Sequence, residues 1–227
     1  KKQKSRRSPF DFVYFKKVVN SMYYFFLFFF PFFLSFFVSF FFSFLSAFFV
    51  SFFAVDVVFF GLHIGRLTSL ATLFILYGDL MKQVKAYYIM GGAFWVPGNV
   101  TAVAEANFHG DPVAAQIVLT YAENVTIIPL NVTQQAIATP EMVDYIDTVG
   151  KVPLVKTLLD YYFDFYKKRD PSIQGSPLHD VLTLMAISHE DMFTFNELPV
   201  HVVQAPEGTE RGQSIADIRP FGSLEEE

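Results

Sequence analysis

The residues between 90 and 111 combine polar side chains with glycines in a way that suits a small ligand rich in hydroxyl groups. Asn99, Glu105 and Asn107 lie close together in this stretch, and glycines precede them. An amide both donates and accepts hydrogen bonds, whereas a carboxylate only accepts, so the group matches the adjacent hydroxyls of a sugar. The same composition is also typical of a glycine-rich surface loop. The residue types by themselves leave both interpretations open.

A histidine and an aspartate stand side by side further along the chain. His179 and Asp180 follow Pro177 and Leu178 at the predicted start of a helix, where the helix dipole favours a carboxylate. The pair could be an acid next to a metal ligand, or it could serve only as a helix cap. Nothing in the spacing of the two residues decides between these roles.

Composition excludes several classes of function. The chain has 227 residues, a formal net charge of -5 and a pI near 5.5, which argues against a nucleic-acid-binding face. It contains no cysteine, so disulfides and thiolate metal sites are excluded. A metal would therefore be held by carboxylates, imidazoles or carbonyls, which favours a hard ion such as calcium or magnesium.

The first 60 residues differ sharply in composition from the rest. They hold 22 of the 30 phenylalanines, and 26 of the 29 residues from 25 to 53 are Phe, Leu, Ser or Pro. One interpretation is an apolar helical membrane anchor within residues 23–60, behind a basic N-terminus. A second is a translated pyrimidine-rich tract, because pyrimidines alone can encode all four residue types. A third is a low-complexity tail. The monotony of the run favours the second interpretation.

The rest of the chain alternates helical and strand patterns, which predicts an α/β fold with a largely parallel sheet. Asp111–Pro112 and Thr139–Pro140 each pair a capping side chain with a proline at the first helical position. Ligands bind at the carboxyl ends of such strands, so the loop after Met90 is the expected site. Helices are predicted over 68–84, 112–121, 140–146, 153–168 and 177–188, and strands over 86–90, 125–130, 198–205 and 214–219.

Several ordered motifs resemble one enzyme family. The segments MGGAF, PGNVT, AEAN, PLNVT, PLHD and RGQSIAD follow one another between about Gly61 and Ile218. Together they resemble the inosine/uridine-preferring nucleoside hydrolase family. The resemblance implies a partial open, mostly parallel sheet with flanking helices. Together with the change in composition, it predicts a basic, Phe-rich N-terminal segment over 1–60 and a nucleoside hydrolase-like domain over 61–227. It also implies hydrolysis of the N-glycosidic bond of ribonucleosides, with a calcium ion that holds the attacking water and the ribose hydroxyls.

The resemblance also implies a role for individual residues. Asp180 would bind calcium through its carboxylate and Ile64 through its backbone carbonyl. His179 would lie beside the leaving base as its proton donor. Four further residues match the positions that line the ribose pocket: Met90, Asn99, Glu105 and Asn107.

The sequence departs from the family pattern at its beginning. The family's aspartate-rich DxDxGxDD motif, which supplies calcium ligands and the general base, is absent, and the acids before Asp79 are Asp11 and Asp56. We therefore expect weakened calcium binding and impaired hydrolysis. The alternatives are a membrane-anchored, non-catalytic protein that binds a sugar or nucleoside, and a non-functional product of a faulty gene model. We expect a nucleoside as partner, a cytoplasmic location unless the Phe-rich segment anchors the chain, and possible homo-oligomers.

Overall fold

The computed structural model describes residues 59–150, 152 and 154–219. The Phe-rich segment, and with it the predicted apolar helix, lies outside the described residues. None of the helices within the described ranges has both the length and the apolar character needed to cross a bilayer.

Three parallel strands form the sheet that the alternating pattern predicts. They are β1 (Phe59–His63), β2 (Val84–Met90) and β3 (Val125–Ile128), in the order β1-β2-β3. Strand β1 begins two residues before the predicted domain boundary at 61, and the domain division itself stays a prediction. Strand β3 ends two residues earlier than predicted, because Pro129 has no N–H to continue the ladder.

Helix α1 (Thr68–Met81) connects the first two strands. The apolar spacing predicts a helix that reaches residue 84, but Val84 instead pairs with Phe59 as the first residue of β2. The helical prediction was wrong over the last residues, because a valine that follows an apolar helical stripe fits the start of a buried strand equally well. The phenol of the buried Tyr87 donates to the carbonyl of Met81 at 2.7 Å and so ties the helix end to the strand.

Two helices lie between β2 and β3. They are the short α2 (Ala106–Gly110) and α3 (Pro112–Tyr121). The predicted cap of α3 is confirmed: Asp111 Oδ1 accepts from the amide of Ala114 at 3.0 Å. Helix α1 packs against α3, and the core between them contains the fully buried side chains Leu67, Phe108, Ala115 and Val118.

The strands and helices described so far belong to one compact unit. Its remaining elements lie between β3 and residue 137 and after residue 176. They are α4 (Leu130–Thr133), α7 (His179–Ser188), a 3₁₀ turn (Glu190–Met192), β6 (Val200–Val202) and β7 (Ser214–Ala216). Strands β6 and β7 are shorter than predicted and pair with each other antiparallel. They form a separate two-stranded sheet, so the parallel ladder ends with the first three strands of the described chain.

Residues 138–176 belong to a second compact unit. This unit contains α5 (Pro140–Val149) and α6 (Leu154–Arg169), and the short strands β4 (Ile137–Ala138) and β5 (Ser176–Pro177) lie at its two boundaries. The predicted cap of α5 is confirmed, since Thr139 Oγ1 accepts from the amide of Met142 at 3.4 Å. Within the unit, Lys156 forms ion pairs with Asp144 at 2.6 Å and with Asp160 at 3.2 Å.

The cap of α3 gives a direct test of the fold. We expect Asp111→Ala to lower the free energy of unfolding by about 1 kcal/mol, because the amide of Ala114 loses its acceptor. Asp111 Oδ2 also accepts from the hydroxyl of Thr68 at 2.5 Å, so the variant also loosens α1. Asp111→Asn keeps an acceptor for the amide of Ala114, so its free energy of unfolding should fall clearly less. Equal losses in the two variants, measured by denaturant unfolding, would contradict this account.

Candidate functional site

The carboxyl end of β2 leads into two glycines that the packing requires. A Cβ atom at Gly91 would lie 2.4 Å from the ring of Phe108, so the strand and α2 meet at this point without room for a side chain. Gly92 has φ +81, a backbone conformation that side chains rarely adopt. The chain can therefore turn at the strand end while the Gly92 amide points towards α2.

Glu105 is buried at this turn and caps α2. Only 1% of the residue is exposed. Its Oε2 accepts from the amides of Asn107 at 2.9 Å, Gly92 at 3.2 Å and Phe108 at 3.3 Å. Burial raises the pKa of this carboxyl to about 7, although the three hydrogen bonds counteract the shift. The predicted contact of Glu105 with a ribose stays a prediction, and the structure adds a role in holding α2.

Asn107 joins the ends of the first two strands. Its Nδ2 donates to the carbonyl of Met90 at 3.0 Å and lies 3.3 Å from the sulfur of the same residue. A longer contact of 3.5 Å reaches the carbonyl of Ile64, just after β1. Three residues that the resemblance assigns to the ribose pocket or the metal site are thus brought into direct contact.

Asn99 supports the same helix from the preceding loop. Its Oδ1 accepts from the amide of Ala106 at 2.9 Å, next to the bonds of Glu105. Asn99 is therefore also close to Glu105 and Asn107, as the resemblance implies. Like Glu105, it uses one polar atom to hold α2.

Asp180 lies in the first turn of α7, which packs against β2 and β3. Burial, and secondly the negative charge of Glu105, raise the pKa of Asp180 to about 7. The two carboxyls are thus electrostatically coupled, with Glu105 buried and Asp180 partly buried. The N-cap of α7 is Leu178, so Asp180 does not cap the helix, and the interpretation of this aspartate as a cap was wrong.

His179 stands at the start of α7 beside α4. Its Nδ1 lies 2.7 Å from the hydroxyl of Thr133, a residue that sequence reasoning did not single out. Burial lowers the pKa of His179 to about 4, so the imidazole is neutral at neutral pH. A neutral imidazole is a weaker proton donor than the imidazolium that protonation of a leaving base calls for.

His63 is a second buried histidine near the strand ends, and the sequence motifs gave it no functional role. It is 2% exposed and its Nε2 lies 2.7 Å from the carbonyl of Arg66. Its Nδ1 is buried and has no hydrogen-bond partner within the described part of the chain. Burial lowers its pKa. Its position directly before Ile64 was the one signal that could have indicated a place near the site.

The oxygen donors at this site match calcium in kind but not in number. Calcium takes 6–8 oxygen ligands, whereas the resemblance assigns it Asp180 and the carbonyl of Ile64. Residues 59–150 and 154–219 contain no group of three or more acidic, histidine or cysteine side chains that could hold a metal ion. The oxygen donors that the resemblance assigns among the described residues are therefore too few to hold calcium by themselves.

The raised pKa of Asp180 predicts how stability depends on pH. Because the folded pKa of about 7 exceeds the ordinary value, the folded chain keeps a proton that the unfolded chain has released, and stability falls as pH rises from about 4 through 7. The lowered pKa values of His63 and His179 act in the opposite direction below pH 6.5. Both histidines are also present in the Asp180→Asn variant, so their contribution to the pH dependence cancels when the two proteins are compared.

We expect wild-type stability, relative to Asp180→Asn, to fall on the order of 2 kcal/mol between pH 5 and pH 8. The measurement is thermal or denaturant unfolding of the full chain in the presence of a chelator. A stability difference between the two proteins that does not change with pH would show that Asp180 titrates normally.

The chain is similar to known proteins over most of the described residues. The profile of the family described as inosine-uridine preferring nucleoside hydrolase matches residues 59–226. Uridine nucleosidase 1 of Arabidopsis thaliana is 34% identical over 143 residues, 62% of this chain and 42% of that protein. The inosine-uridine preferring nucleoside hydrolase of Leishmania major is 31% identical over 157 residues, 68% of this chain and 49% of that protein.

The solved structure of a purine-preferring ribonucleoside hydrolase from Gardnerella vaginalis has a TM-score of 0.63 at 28% identity. The match covers 69% of this chain and 50% of that one. The chain thus spans about half the length of the relatives that it matches. The match over residues 59–226 includes every residue of the site described above, and the chain belongs to the inosine-uridine preferring nucleoside hydrolase family.

Proposed function

We propose that the chain binds ribonucleosides and hydrolyses their N-glycosidic bond, at a rate well below that of an intact family member. The observation that carries the proposal is the contact of Asn107 with Met90 and Ile64 beside the coupled carboxyls of Glu105 and Asp180. The names of the relatives, uridine nucleosidase and inosine-uridine preferring nucleoside hydrolase, support the class of substrate.

The two asparagines support recognition of a sugar. Asn107 uses its Nδ2 for Met90, and Asn99 uses its Oδ1 for Ala106. Among the described residues, Asn107 Oδ1 and Asn99 Nδ2 form no hydrogen bond, which leaves one acceptor and one donor. Adjacent hydroxyls of a ribose both donate and accept, so this pair is complementary to them. Because the other end of each amide is held, little rotamer freedom would be lost on binding.

Slow turnover follows from the state of the ionisable groups. Burial raises the pKa values of Asp180 and Glu105 to about 7, so a cation would compete with protons for these carboxyls near neutral pH. His179 is neutral and poorly suited to protonate a departing base. No further carboxylate joins these residues within the described ranges to act as a general base.

The proposal is tested with the full chain, uridine and inosine in the presence of excess calcium. We expect calorimetry to detect nucleoside binding, and we expect ribose release at least about 10²-fold slower than in an intact relative, because general-base help is worth roughly 10²–10⁴-fold. Asp180→Asn should lower the remaining turnover further. Asn107→Asp, which replaces the donor to Met90 with a carboxylate oxygen, should weaken binding.

Two results would contradict the proposal. Turnover within tenfold of the intact relative would show that another acid of the chain supplies the missing base. Absence of nucleoside binding in a folded chain would show that the asparagine pair does not recognise ribose. Binding without any turnover would favour the alternative of a non-catalytic nucleoside-binding protein, which the raised pKa values of the two carboxyls support.

A further inference from the structure

An open cleft lies beside the site and shares none of the residues assigned to ribose or metal. It runs between residues 93–96 and strand β7, and its cavity volume is about 240 Å³. This volume is slightly below the range of about 300–1,000 Å³ that is common for pockets of drug-sized molecules, so the cleft suits a ligand as small as a single ring system. Phe94 and Trp95 line one side, and Gln213 and Ile215 line the other.

Two side chains from distant parts of the chain hold the loop that forms one wall. The hydroxyl of Ser214 accepts from the amide of Ala93 at 2.8 Å and lies 3.0 Å from the carbonyl of the same residue. The side chain of Asn131 accepts from the amide of Phe94 at 2.9 Å and donates to its carbonyl. Both residues before Trp95 are therefore fixed at their amide and at their carbonyl, so the wall is rigid.

Trp95 projects from this rigid loop in a strained conformation. Its backbone φ angle is +57°, and the residue is 68% exposed. A left-handed backbone is an outlier for a bulky residue. Asn124 is the other non-glycine residue with positive φ among the described residues, and asparagine tolerates this conformation. Strain kept at an exposed aromatic residue, where burial offers no compensation, points to a functional use.

The segment around β7 contributes the side-chain amide of Gln213, which has no hydrogen-bond partner among the described residues. The backbone of Gln213 is held on both sides, since its amide donates to Glu210 and its carbonyl accepts from Val203. Its side chain forms no hydrogen bond within the part of the chain that the structure describes and lines the cleft. The Gln213 amide thus offers both a donor and an acceptor in the cleft that Trp95 also lines.

We propose that this cleft is a second binding site, for a planar heteroaromatic ring with hydrogen-bonding groups on its edge, of the kind found in nucleobases. The ring stacks on Trp95, since indole and base faces attract each other without regard to base identity. Its edge bonds to the Gln213 amide. The choice of a nucleobase as the ligand rests on the proposed function, because that reaction releases a free base. The expectation that a ring stacks on Trp95 and bonds to the Gln213 amide does not depend on the proposed function.

Trp95 is the one tryptophan in the chain, so intrinsic fluorescence reports on this cleft directly. We expect adenine and uracil, titrated into the full chain, to quench the emission saturably with a dissociation constant of roughly 1 mM or below. D-ribose should leave the emission unchanged. Gln213→Ala should weaken the binding of both bases about fivefold, the effect of one lost hydrogen bond.

Calorimetry with adenine extends the test to variants without the fluorophore. Trp95→Phe keeps a stacking ring and should still bind adenine, whereas Trp95→Ala should lose binding while its circular dichroism spectrum stays that of the wild type. Asp180→Asn should bind adenine like the wild type, which separates the cleft from the ribose site. Because no turnover is measured, an inactive chain that binds adenine still supports the cleft.

The proposal is overturned if neither base changes the emission saturably, or if folded Trp95→Ala binds adenine as well as the wild type. It is also overturned if Asp180→Asn abolishes the response, since the base would then occupy the nucleoside site. A loss of nucleoside hydrolysis with the fluorescence response intact would contradict the proposed function alone.

Discussion

The buried carboxylate of Glu105 is the group on which the arrangement of the site most depends. A carboxylate without solvent is costly unless hydrogen bonds satisfy it, and three amides converge on its Oε2. These bonds hold the first turn of α2 against the end of β2. Asn107 follows two residues later and comes within reach of Met90 for this reason. An apolar side chain at 105 would leave buried amides without an acceptor, so the local fold and the site depend on the same group.

The electrostatics of the site follow from the same burial. Glu105 is buried and Asp180 is partly buried, and the charge of Glu105 adds to the cost of ionising Asp180. Electrostatic interactions are stronger where water is excluded, so the pair attracts either protons or a cation. The coupled carboxyls are thus a place where metal binding and pH are linked.

Distant segments of the chain complete the walls of both the site and the neighbouring cleft. Ser214 and Asn131 hold the loop after Gly92, and Thr133 contacts His179. The parallel strands make this possible, because their carboxyl ends lie at one edge of the sheet and the loops that follow them meet there. The strained conformation of Trp95 persists because residues on its N-terminal side are held so firmly.

Local signals in the sequence determined the parallel sheet, the caps at Asp111 and Thr139, and the family, because each depends on residue type and short spacing alone. Only the tertiary structure decided that Val84 starts a strand, that His179 is neutral, and that Asp180 is coupled to Glu105 rather than capping its helix. The pKa of a side chain and the choice between helix and strand at a shared apolar residue depend on neighbours distant in sequence. Periodicity and motif spacing describe only near neighbours, so such properties become defined when the distant segments pack together.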